Sequence, residues 1–159
     1  MMARIYPRFI LLVLLFSCPL LAATAKPIDA VNTFFAAMSK NDADLAASVM
    51  LEDGVLYGYA EGAENSDLIR LSIGQFLEGW KTHTDSVLER IWDVEVIVHQ
   101  RLAVAWTPYD FFVNGDFHHC GVNSFNLIRM GDGWKITGIT FSMETESCEE
   151  SPLGPPDFD

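Results

Sequence analysis

Basic residues are scarce in this 159-residue chain: 10 Lys and Arg stand against 22 Asp and Glu, a formal net charge of −12. That shortage excludes a phosphate-backbone binder, because no basic face could replace the counterions that nucleic acid releases. It argues equally against docking on anionic lipid. Several catalytic signatures are missing as well: there is no Gly-rich P-loop, no Gly-x-Ser-x-Gly and no His-Glu-x-x-His. No internal repeat or interdomain linker is visible, and the length fits one domain. Charged residues make up only 20% of the chain, whereas 50% is hydrophobic and 12% aromatic, so it is too apolar to stay disordered.

The longest apolar run, Phe9–Phe16, falls short of the roughly 20 residues that span a bilayer. Arg4 and Arg8 precede it, Pro19 breaks it, and Ala23-Thr24-Ala25 offers the small-x-small pattern of a cleavage site. Residues 1–25 therefore read as a secretory signal removed before Lys26, with an uncleaved anchor as the alternative. The mature chain then has 8 basic and 22 acidic residues, a net −14. It keeps two cysteines, Cys120 and Cys148, which in an exported chain are expected to form a disulfide. A periplasmic or secreted location follows, with no membrane attachment after cleavage. Residues 26–147 are expected to form the domain, and residues 148–159, acidic and carrying Pro152, Pro155 and Pro156, a loose tail.

Pro27 suits a first helical position, and Ile28, Val31, Phe34, Phe35 and Met38 follow at helical spacing. Asn41-Asp42 ends that helix and caps a short second one. Glu52-Asp53-Gly54 reads as a turn before a strand at Val55–Ala60. Ser72 with Gln75 forms a capping box for a helix whose apolar stripe is Ile73, Phe76, Leu77 and Trp80. From Val87 onward the period is two, giving strands near 87–98, 102–113, 116–129 and 134–143. Helices followed by an antiparallel meander make an α+β fold, and a strongly curved sheet closed by helices encloses a pocket.

Val113-Asn114-Gly115-Asp116 is the sharpest local signal, because Asn-Gly favours a two-residue hairpin turn with both positions at positive φ. Regular pairing from that turn sets Phe112 opposite Phe117, Asp110 opposite His119, Trp106 opposite Asn123, and Val104 opposite Phe125. This is the more apolar side, so it is expected to be concave. Asp110 and His119 would then share a proton on an aromatic wall of Trp106, Phe112, Phe117 and Phe125, either as a general acid/base dyad or as a structural pair. Arg90 would approach Asp110, but as a strand-end charge it is expected to be solvated. Tyr57 and Trp80 are further candidates to line a pocket. His118 and His119, as strand neighbours, should point to opposite faces, so no metal site is expected.

Trp106-Thr107-Pro108-Tyr109-Asp110-Phe111, Asn114-Gly115, His119-Cys120-Gly121-Val122-Asn123-Ser124-Phe125 and Gly133-Trp134-Lys135-Ile136, with Cys148 beyond, resemble an exported branch of the NTF2-like superfamily. That superfamily also takes in SnoaL-like, ketosteroid-isomerase-like and lumazine-binding-like proteins. The resemblance covers residues 27–143 in order of elements. It implies a cone with N-terminal helices packed on a curved antiparallel sheet, a deep apolar pocket, and a homodimer through the sheet's outer face. The isomerases' acidic base and tyrosine-centred oxyanion hole have no matching positions here. Three functions are therefore carried forward. They are an exported binding protein for a small apolar or aromatic molecule, a cofactor-independent isomerase or lyase using Asp110 and His119, and a dimeric interaction module with a filled core. None of these implies a cofactor.

Overall fold

A computed structural model describes residues 25–61, 68–131 and 133–158. The expected signal segment, apart from Ala25, lies outside the described residues. The elements run α1 (Pro27–Ser39), α2 (Ala43–Ala47), β1 (Met50–Glu61), β2 (Leu68–Ser72), α3 (Ile73–Trp80), β3 (Val87–Ile91), β4 (Glu95–His99), β5 (Leu102–Val113), β6 (Asp116–Met130) and β7 (Gly133–Glu144). The sheet order is β2-β1-β7-β6-β5-β3, with β4 also pairing β5. Every pairing is antiparallel except that of β1 with β7.

The helices begin where local chemistry satisfies their free N–H groups. Pro27 opens α1, the Asp42 carboxylate accepts from the Leu45 N–H at 2.9 Å to open α2, and Ser72 and Gln75 exchange bonds of 3.0 and 2.9 Å to open α3. The stripe of α1 lies on the concave face of the sheet. Phe34 and Phe35 meet the ring of Phe125 edge-on, with centroids 5.8 and 5.6 Å apart. Each such buried ring contributes roughly 1.5–3 kcal/mol by leaving water.

Two expectations about strand limits are corrected. β1 begins at Met50, so Glu52-Asp53-Gly54 lies within a strand rather than a turn. Its register against β7 shifts between Met50 and Val55, and Gly54 sits there because a Cβ would come within 2.4 Å of the Thr137 carbonyl oxygen. The expected strand 87–98 is two strands, broken around Asp93, which takes φ +44°.

The β5–β6 hairpin turns at Asn114-Gly115 with φ of +51° and +88°, and Val113 pairs with Asp116 and Phe112 with Phe117 as expected. The next pair is Phe111 with His119, so His118 is an extra residue on β6. This β-bulge moves every later pair by one and exchanges the two faces. Ala103, Ala105, Thr107 and Tyr109 therefore face the helices and are buried. Leu102, Val104 and Trp106, expected inside, face outward, and Trp106 is 50% exposed.

The segment after Cys148 is not loose. Cys120 and Cys148 are joined in a disulfide, the Gly154 carbonyl accepts from Arg90 Nη1 at 2.8 Å, and Phe158 packs edge-on against Phe112, with centroids 5.7 Å apart.

Candidate functional site

Between α1, α3, β1, β2 and the concave face of the sheet lies a cavity of about 460 Å³, within the size range of small-molecule sites. Its walls are mostly apolar. Phe34, Phe76 and Trp80 form one ring cluster, with centroids 5.2–6.3 Å apart, and Phe111 and Phe141 stand opposite on the sheet. Gln75 on α3 and His83 just after it line the cavity; on the sheet side the polar lining is Glu89, Asn123, His118 and His119, with Tyr109 beside them.

Strand register builds that region. Glu89 on β3 pairs with Phe111 on β5, which pairs with His119 on β6, so the three side chains lie in one row across the concave face. The His119 ring packs on Phe111 at 4.8 Å and meets Tyr109 edge-on at 5.5 Å. Asn123 donates from Nδ2 to Glu89 Oε1 at 2.7 Å. Because His118 is the bulged residue, it shares the cavity with its neighbour, and the two Nδ1 atoms are hydrogen-bonded at 2.8 Å. The expectation that adjacent histidines must face apart fails here. Among the described residues, no cluster of three or more His, Cys, Asp or Glu could hold a metal ion.

Enclosure sets the protonation of these groups. Burial pushes the Glu89 carboxyl up to about 8, and the charge of Asp110 pushes the same way against the hydrogen bond from Asn123. Burial, then the neighbouring His118, brings His119 down to about 4. Tyr109 is raised by burial, then by the charges of Glu89 and Glu144. Its phenol donates to the Ser142 carbonyl at 2.6 Å. At neutral pH the region therefore holds a protonated carboxyl, a neutral imidazole and a neutral phenol.

The expected dyad is not formed. Asp110 pairs across β5–β6 with Cys120 rather than His119, and its carboxylate lies on the outer face against Arg90. The Arg90 Nε donates to Asp110 Oδ1 at 2.9 Å, and Nη2 donates to Oδ2. Arg90 is thus a paired, largely buried charge rather than a solvated one. Hydrogen bonding to Asp110 raises its pKa despite the opposing effect of burial.

Of the other expected pocket residues, Trp80 and Asn123 line the cavity. Phe125 is fully buried in the core beneath α1. Phe112 and Phe117 pack on each other away from the cavity, and Phe112 is covered by Phe158. Tyr57 lies outside it and accepts from Arg70 Nε at 3.2 Å. The sequence reading missed Glu89, His118 and Tyr109. Glu89 had a signal: in Val87-Leu88-Glu89-Arg90-Ile91 it shares the alternation phase of Val87 and Ile91, so an acid occupies an inward position.

No helix among the described residues is long and apolar enough to cross a membrane. No family model and no curated protein sequence matches the chain. Solved structures do match. A proposed dehydratase of the NTF2-like family from Streptomyces avermitilis aligns with a TM-score of 0.58 at 20% identity, over 74% of this chain and 93% of the other. An NTF2-like superfamily protein from Salmonella enterica serovar Typhimurium aligns at 0.58 and 15%, over 76% and 89%. A proposed scytalone dehydratase from Novosphingobium aromaticivorans aligns at 0.57 and 13%, over 82% and 93%. Helices closing the concave side of one curved sheet, together with these alignments, identify the architecture: the chain has the NTF2-like fold.

Proposed function

We propose that this chain is an exported protein that binds a small, largely apolar, ring-bearing molecule in the cavity between its helices and sheet. The observation that carries the reading is the cavity itself: about 460 Å³, walled mostly by apolar and aromatic side chains, with Glu89, Asn123 and His119 among its few polar ones. Such a site buries a ring system by the hydrophobic effect and orients it through one polar group. The Cys120–Cys148 disulfide and the leader-like residues 1–25 support a periplasmic or secreted location. A core filled by its own side chains, as an interaction module would need, does not match the cavity. Exposed Ile97, Leu102, Val104 and Trp106 on β4 and β5 support a homodimer through the sheet's outer face.

Native mass spectrometry of the protein isolated gently from its compartment tests this reading. The expected spectrum shows a dimer carrying a reproducible extra mass that is lost on denaturation, and less of it for Trp80→Ala. Binding is overturned if the protein is always ligand-free and takes up no member of a library of small aromatic compounds.

A second reading, acid–base catalysis, is favoured by Glu89 and His119 lining one largely apolar cavity on either side of Phe111, one group titrating above neutrality and the other below it. Two of the aligned structures are proposed dehydratases. On this reading Glu89 and His119 take the roles first expected of Asp110 and His119. Glu89→Gln would then stay folded and keep its ligand while losing turnover. Undiminished turnover would exclude it.

A further inference from the structure

The Glu89 carboxyl faces the cavity with one hydrogen-bond donor, Asn123, and among the described residues no Lys or Arg forms an ion pair with it. The nearest cation in sequence, Arg90, is turned to the opposite face and committed to Asp110 and the Gly154 carbonyl. A carboxyl enclosed without a counter-charge is costly to ionise, and an arriving cation would remove that cost. The walls suit a ring-bearing visitor, since Phe34, Phe76 and Trp80 line the cavity and take up an aromatic body. The acidic net charge of −12 draws cations toward the protein.

We propose that the cavity takes a protonated amine carried on an aromatic or polycyclic body, with its ammonium group seated on Glu89. The assignment rests on the binding reading above and names its ligand class. A carboxylate ligand could meet only the protonated acid and would make its ionised form costlier still. A neutral alcohol would hydrogen-bond to it without supplying the missing charge. His119, held neutral, adds no repelling charge to an arriving ammonium group. The other titratable groups around Glu89 are Tyr109 and Asp110 on β5, His118 on β6, His83 after α3 and Glu144 on β7. Among the described residues, none of these is a cation committed to Glu89.

The test uses two probes of one shape, 2-naphthylmethylamine and 2-naphthalenemethanol, titrated calorimetrically into the intact disulfide-bonded protein in buffers of different ionisation enthalpy. With Glu89 titrating at about 8, seating the amine at pH 7 ejects close to one proton per site, about 0.9. Its affinity therefore rises about tenfold from pH 6 to pH 7, while the alcohol's does not change. At pH 7 the amine is expected to bind at least tenfold more tightly than the alcohol, and Glu89→Gln to remove that preference while keeping alcohol binding. Equal affinities, or amine binding without proton release, would overturn the amine assignment and leave the cavity reading intact. Failure of both probes to bind would overturn the amine assignment, and the binding reading falls with it if the wider library of aromatic compounds also fails to bind. The proton count needs no variant, so it decides the matter even if Glu89→Gln folds poorly.

Discussion

Consider Asp110→Asn. Asp110 and Arg90 sit with side chains only 7% and 14% exposed, joined by two parallel hydrogen bonds. Removing one charge of such a pair strands the other in a poorly hydrated place, which costs about 3–5 kcal/mol. Asn can still accept one hydrogen bond, and the Gly154 carbonyl still accepts from Arg90, so the lower end of that range, about 3 kcal/mol, is expected. In a domain of this size that corresponds to a fall in Tm of roughly 10 °C. Urea unfolding followed by Trp fluorescence, with calorimetry beside it, measures both quantities. The double variant Arg90→Leu/Asp110→Leu removes both charges together and is expected to lie well above the single variant in stability. A single variant within 1 kcal/mol of the parent at unchanged m-value, or a double variant less stable than the single, would refute this account of the pair.

Stability should also depend on pH in a specific way. Glu89 binds its proton more tightly folded than unfolded, so its contribution is complete below about pH 4.5 and is lost as pH rises through about 8; His119 does the reverse, its contribution being complete above about 6.5 and lost as pH falls through about 4. The two slopes oppose each other between about pH 4.5 and 6.5, so unfolding free energy should be nearly flat there and fall from pH 6.5 to 8, and Glu89→Gln should abolish the fall in a urea series across that range. Reducing the disulfide, which spans 28 residues of sequence, should cost roughly 3–4 kcal/mol, read as a drop in urea midpoint with reductant present. Gly121→Ala should cost about 1–3 kcal/mol by the same assay, because its Cβ would lie 2.2 Å from the Ser142 carbonyl oxygen and β6 would have to part from β7.

What the sequence disclosed and what it hid follow from the range of each signal. Caps and turns are local, so Ser72 with Gln75, Asp42, and Asn114-Gly115 could be read from a few residues and agree with the structure. The order of elements was legible for the same reason, and the Cys120–Cys148 bond because the mature chain holds only two cysteines to pair. The inward face of β5 was not, because both phases of Leu102–Val113 carry apolar residues. The bulkier set, with Val104 and Trp106, lies outside, while Ala103, Ala105 and Thr107 leave room for the rings of α1. One inserted residue, His118, decides between the phases. Alternation alone does not mark it, since Phe117-His118-His119 has no Gly or Pro to announce a bulge. The candidate site shifted with it. Asp110 went to the outer face, while Glu89, on a strand whose own phase was simple, became the acid inside.

The bond between Cys120 and Cys148 also has a mechanical meaning. It closes a ring that contains all of β7, the strand joining β1 to β6. Tension applied near Phe158 therefore passes through sulfur to β6, and the covalent path bypasses β7. A pull on the C-terminal segment would first peel Phe158 from Phe112 and the Gly154 carbonyl from Arg90, then stop at the covalent link. The helices and the cavity beneath them would stay in place.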